Sequence, residues 1–109
     1  MENVGLITAV AYDRHHRHIV EVEYLPIDDG VPGKKQRLSR RGVLKERREG
    51  RLFFTAVPDP DQPGEWDVAL VKRHRVNGVV YLTTAPDDSE ADNLGELPEF
   101  EADGLYIYE

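Results

Sequence analysis

Apolar and polar positions alternate most clearly near the start of the chain. Residues 6–12 form a short apolar run, and after a polar interval Val20, Val22 and Tyr24 alternate with Glu21 and Glu23. Period-two alternation with β-branched residues marks a strand buried on one face. The pattern predicts a β-hairpin with its turn at residues 13–17. A loop follows in "PIDDGVPGKK", which holds two prolines, two glycines and paired aspartates. In "SRRGVLKERREG" the rhythm becomes helical. Ser39 is placed to cap the first turn and Gly50 to close the last. Only Val43 and Leu44 are apolar between them, so one narrow stripe can dock on a sheet. Gly42 weakens that helix by up to ~1 kcal/mol relative to Ala. "RLFFTAV" returns to a strand, and the proline-rich "PDPDQPGE" is an exposed loop. Residues 66–72 and 79–84 predict a second hairpin about Asn77-Gly78, a dipeptide that tolerates positive φ at both centres of a type I′ turn. Within it Trp66, Val68 and Leu70 alternate with Asp67 and Ala69, which predicts a buried Trp66.

The last quarter, "APDDSEADNLGELPEFEADGLYIYE", has the composition of a disordered tail. Yet Leu94, Leu97 and Phe100 recur at steps of three. Gly95 and Pro98 exclude a good helix between them. An irregular turn that drops three side chains onto a sheet satisfies both facts. The element order is then β-β-α-β-β-β. It specifies an α+β fold: a small antiparallel sheet of two hairpins plus one strand, one short helix packed on it, and a C-terminal tail clamped to the core. Residues 1–100 form the single domain. Residues 101–109 are an extension that offers one further edge strand.

"ITAV" near the N-terminus, "YLTT-PDD" entering the tail and "DNLGELPEF" near the end resemble, in that order, the small bacterial family catalogued as domain of unknown function 3892. The resemblance spans roughly residues 6–100. It implies a hairpin, a helix ending in Gly, two further strands and a closing Asn-Leu-x-x-Leu-Pro-x-Phe segment, here Asn93, Leu94, Leu97, Pro98 and Phe100. It implies no activity. The helix here is more basic than the family pattern, the 58–65 loop looks inserted, and residues 101–109 run past the usual end.

Composition narrows the function classes. The 109 residues include no cysteine, which excludes disulfides, thiolate catalysis and cysteine-ligated metal. No apolar run approaches the ~20 residues of a membrane helix. The N-terminus lacks a secretory pattern, so the default expectation is a cytoplasmic protein that does not engage membranes. Charge is unevenly placed. The net is -7, yet all 14 Lys and Arg lie between Arg14 and Arg75, and residues 76–109 hold nine acids with no Lys or Arg. From Lys34 to Arg51 nine cations face two acids, a local +7.

Catalytic chemistry finds few candidates. Ser39 is explained by capping, Ser89 lies in an acidic loop, and no phosphate-binding loop or nucleophile elbow is present. The expectation is a non-enzymatic protein without a cofactor. His15, His16, His18 and His74 suggest a histidine-based metal-responsive alternative, but Arg14, Arg17, Arg73 and Arg75 crowd the same hairpin tips and oppose a dication. No metal site is therefore expected. The basic strip stands out: Lys34, Lys35, Arg37, Arg40, Arg41, Arg47, Arg48 and Arg51 are the candidate residues for an anion or a partner. Arg40 and Arg41 sit at the wrong end of the helix dipole for stability. A phosphate, the chain's own acidic tail or solvent could each answer that charge. The first reading is an interaction domain with a protein partner. A nucleic-acid-associated protein with an autoinhibitory acidic tail is the alternative, disfavoured by the net charge and by the absence of aromatics interleaved with the strip.

Overall fold

The computed structural model describes residues 3–15, 17–85 and 91–101. Strands β1 (Val4–Tyr12) and β2 (Ile19–Asp28) form the expected antiparallel hairpin. Two short strands, β3 (Val31–Pro32) and β4 (Gln36–Ser39), both pair with β2. Helix α1 (Arg40–Arg48) follows at once, capped by Ser39, whose Oγ accepts from the Gly42 amide at 3.1 Å. The helix carries the chain across the sheet, and β5 (Leu52–Pro58) comes down beside β1 in the same direction. The α+β class is as expected. The sheet is mixed rather than wholly antiparallel, because a helical crossover, unlike a hairpin, returns the chain parallel to the strand it joins. Strand β6 (Trp66–Leu70) completes the order β3-β2-β1-β5-β6.

The second predicted hairpin keeps its turn and its second arm, but its first arm lies later in the chain than the alternation suggested. Its turn is where expected, with Asn77 at φ 50° and Gly78 at φ 82°. Its arms are β7 (Lys72–Val76) and β8 (Val79–Thr83). Residues 66–70 pair with β5 instead. The break falls at Val71, which is fully buried and donates its amide to the Phe53 carbonyl at 2.8 Å. Trp66 is 54% exposed, contrary to the expectation. Its register partner is Pro58, on the face of β5 opposite Phe53, Thr55 and Val57. Those three residues point toward the core. Alternation separates two faces; the pairing partner decides which one is covered.

The core joins Ile7, Val10, Ile19, Val22, Tyr24, Val43, Phe53, Val71, Leu82, Leu94 and Leu97. Val43, as the stripe predicted, is the buried residue of the helix. Gly5 lies where Phe53 and Tyr24 lean across the sheet, their ring centroids 5.8 Å apart. A Cβ there would meet Phe53 Cε1 at 2.7 Å and Tyr24 Cδ2 at 3.2 Å. Gly5→Ala will therefore displace a fully buried ring and cost about 1–3 kcal/mol. A denaturant midpoint equal to wild type would show that the rings yield freely.

In the tail, residues 91–101 are described, while 86–90 and 102–109 lie outside the described residues. Asn93 runs beside β8, donating its amide to Leu82 O at 2.8 Å and accepting from the Thr84 amide at 3.0 Å. Farther on, Val10 N donates to Pro98 O at 3.0 Å and Phe100 N to Val10 O at 2.9 Å. Leu94 and Leu97 enter the core between these two contacts. Phe100 is half-buried outside the core cluster, with the Arg37 guanidinium 4.4 Å above its ring. Two of the three anchors thus fill the core, and the third seats an arginine. The edge strand expected of the extreme C-terminus falls outside the described residues.

Candidate interaction surface and its internal anchor

The basic strip runs from the β3–β4 loop along α1 to the start of β5, and the fold divides it. Arg40, at the first helical position, is turned inward. Its Nε donates to Asp92 Oδ2 at 2.9 Å and its Nη2 to Asp92 Oδ1 at 3.1 Å. Nη2 also donates to the Val80 carbonyl at 2.8 Å. The Asp92 side chain is 0% exposed. Its two oxygens also accept from the amides of Ile19 and Leu82, each at 2.7 Å. Asp92 N in turn donates to Arg17 O. One carboxylate therefore ties β2, β8 and the helix start to the tail. A charged acceptor with a bidentate guanidinium and two amide donors has the multiplicity that burial of an ion pair requires. This explains why an arginine stands at the wrong end of the helix dipole.

Arg51 is likewise internal. It donates to Glu46 Oε1 at 2.9 Å and to Val4 O at 2.9 Å, and its Nη2 lies 3.0 Å from Asp28 Oδ1. Arg37 lies 3.9 Å from Glu21 Oε1 and covers Phe100. Of the eight candidates, Arg40, Arg51 and Arg37 are therefore structural contacts of the chain with itself. The other five do not converge on a point. Lys34 and Lys35 are exposed in the loop, Arg41 and Arg48 are exposed on the helix, and Arg47 is half-buried.

The geometry adds one residue to the candidates. Lys45 is exposed and lies between Arg41 and Arg48 at helical spacing i, i+4, i+7, so the three form one outward stripe. That spacing was present in the sequence. Charge density along the chain does not single out Lys45; its helical face does. Lys45 and Arg48 also lie in the last turn, where the helix dipole favours cations.

Among the described residues the histidines form no metal-binding group. His18 stacks on Tyr81, with centroids 5.5 Å apart, and its Nδ1 lies 3.5 Å from Asp13 Oδ2. Burial raises the Asp13 pKa, but the Arg17 and His18 amides and the His18 imidazole outweigh it and hold the carboxyl below its ordinary value. His74 belongs to β7, beside Arg73 and Arg75 along an open groove. His16 lies outside the described residues. Among the described residues no three His, Cys, Asp or Glu side chains are grouped to hold a metal ion. No helix among them is long and apolar enough to cross a membrane.

A family model described as protein of unknown function (DUF3892) matches residues 6–98. The match spans both hairpins, the helix and the tail as far as Pro98. No curated protein and no solved structure matches the chain.

Proposed function

We propose, from a chain that belongs to the DUF3892 family and so inherits no assigned activity, that the protein is a non-enzymatic interaction domain. Its contact surface is the cationic stripe of Arg41, Lys45 and Arg48, extended by Lys34 and Lys35. Its partner is an acidic protein surface. The division of the basic strip carries this reading. Arg40 and Arg51 are committed to the fold, while Lys45 and Arg48 face solvent on a helix that is anchored at its start. A fixed helix presenting cations at one-turn intervals suits a partner with carboxylates in register, and such charge complementarity governs partner choice and association rate.

The nucleic-acid alternative needs a tail that releases the strip. Asp92, a tail acid that pairs with Arg40 of the strip, is a fully buried part of the fold and not a removable cover, which favours the protein-partner reading. The discriminating measurement is fluorescence anisotropy at low salt, with a labelled poly-glutamate peptide and with single- and double-stranded oligonucleotides of equal charge. The triple variant Arg41→Glu, Lys45→Glu, Arg48→Glu changes exposed positions, and circular dichroism verifies that it folds before binding is compared. We expect the acidic peptide to bind the wild-type protein and to lose about tenfold or more in affinity to this variant, the scale of a few lost ion pairs. Oligonucleotide binding alone, with a log–log salt slope of ~0.7–0.9 per neutralised phosphate, would replace the protein-partner reading by the nucleic-acid one. Binding of neither would remove the stripe as a contact surface.

A further inference from the structure

Strand β6 ends the sheet, and its outer edge has a definite hydrogen-bonding pattern. Phe53 and Val71 are bonded across β5 and β6, and the register Phe54↔Leu70, Thr55↔Ala69, Ala56↔Val68 continues from them without a shift. In an antiparallel pair, bonded and non-bonded residues alternate. Ala69 and Asp67 therefore direct their backbone groups toward β5, while Trp66, Val68 and Leu70 direct theirs outward. Among the described residues this edge has no partner strand, and it offers three N–H and three C=O groups. The same three residues carry the exposed apolar side chains on the face away from the core: Trp66 at 54%, Val68 at 56% and Leu70 at 38%. The strand has no proline, bulge or lysine to block pairing at this edge, and Asp67 is its one charged residue.

We infer that this edge is a self-association site, and that its occupant is the β6 strand of a second copy, running antiparallel about a two-fold axis at Val68. Only an antiparallel register centred on Val68 places every outward residue opposite another outward residue: Val68 faces its own copy, and Trp66 faces Leu70 of the second copy in both directions. All six free backbone groups are then bonded, and each tryptophan covers a leucine. The charges agree with the direction. Glu65 and Asp67 occupy the beginning of the segment, while Lys72 and Arg73 follow its end. Antiparallel pairing brings the acidic end of one strand to the basic end of the other, whereas parallel pairing sets like charges side by side. The result is one continuous sheet through both protomers. This surface is separate from the helix stripe, and the inference does not depend on it.

The test uses the full-length protein. Sedimentation velocity from about 1 µM to about 1 mM, the range of weak self-association, should show a reversible monomer–dimer equilibrium. The chain's single tryptophan should shift to the blue as the dimer forms. Val68→Pro removes an outward N–H that β5 does not use, so it should leave the thermal transition in place and weaken dimerisation about tenfold or more. A second variant guards against misfolding by proline. In this cysteine-free chain, Val68→Cys places two thiols across the axis at a bonded pair, whose Cα separation of about 5.5 Å suits a disulfide. Oxidation should cross-link it far faster than Val79→Cys, an exposed position on the other hairpin. A protein that stays monomeric throughout the range overturns the inference, as does a dimer in which Val68→Cys cross-links no faster than Val79→Cys. A monomer that instead captures an unrelated extended peptide along β6 would overturn it too.

Discussion

Replacing Asp92 with alanine will remove much of the protein's stability. The change deletes an acceptor that receives from Arg40 Nε, Arg40 Nη2, Ile19 N and Leu82 N, and it leaves all of them without that carboxylate. Breaking a buried, hydrogen-bonded pair from one side costs about 3–5 kcal/mol. A domain of this size has about 5–15 kcal/mol in total. Asp92→Asn is nearly isosteric and should cost almost as much, because the amide NH2 must face a donor wherever it turns. Arg40→Lys should recover part of the pair, since an ammonium cannot reach both carboxylate oxygens and the Val80 carbonyl with the planarity of a guanidinium. Many buried ion pairs can be exchanged for apolar residues without loss. Here Arg40→Met with Asp92→Leu should remain destabilised, since the Ile19 and Leu82 amides would still lack acceptors. Urea denaturation of the four proteins gives these differences directly. An Asp92→Asn midpoint indistinguishable from wild type would show the pair to be incidental.

Leu94→Ala and Leu97→Ala follow in size. Leu94 is 1% exposed and Leu97 6%, and both belong to the cluster that holds Phe53, Val71 and Leu82. Each truncation should cost about 2–5 kcal/mol, with Leu94 at the higher end because its site is more completely enclosed. The double variant should cost less than the sum, since the two share neighbours and the second cavity opens in an already relaxed site. Phe100→Ala should cost less than either, since the ring is half-buried and its main partner is the solvated Arg37. Deleting residues 92–109 combines the loss of Leu94, Leu97 and Asp92, and circular dichroism should find no cooperative transition. A truncated protein that melts at the wild-type temperature would make the tail an appendage.

How these features stood in the sequence differs from one to another. Leu94 and Leu97 were legible, because large apolar residues at regular steps in an acidic segment have few explanations besides burial. Ser39, Val43 and Asn77-Gly78 were legible because each acts within a few residues of itself. Asp92 was not. It stands among acids of the same composition, and its burial depends on two backbone amides contributed by β2 and β8. The only trace of it was a charge conflict, arginines at the positive end of a helix. The division at Val71 was hidden for a related reason. A strand's own alternation carries no information about its partner, so residues 66–72 read as one arm although two sheets share them. The cationic stripe was legible in its helical spacing and was obscured by counting charge along the chain.

The placement of the tail has a consequence for how the molecule is made. The Ile19 amide finds its acceptor 73 positions later, and Val10 finds its outer partners at Pro98 and Phe100. A chain synthesised from its N-terminus can form the β1–β2 hairpin early, since that pairing is local. Even after β5 has paired with Val4–Ile7, it must hold the Val10 end of that flank unpaired, with Val10 and Ile19 beside an unfilled core, until residues 92–100 arrive. Contacts of such separation slow folding, and open strand edges favour association between incomplete chains. The segment that looks most dispensable by composition is thus the last to arrive and the one that ends this exposure. A chain clipped before Asp92, or stalled there during synthesis, is therefore expected to be a target for aggregation and proteolysis rather than a shorter working domain.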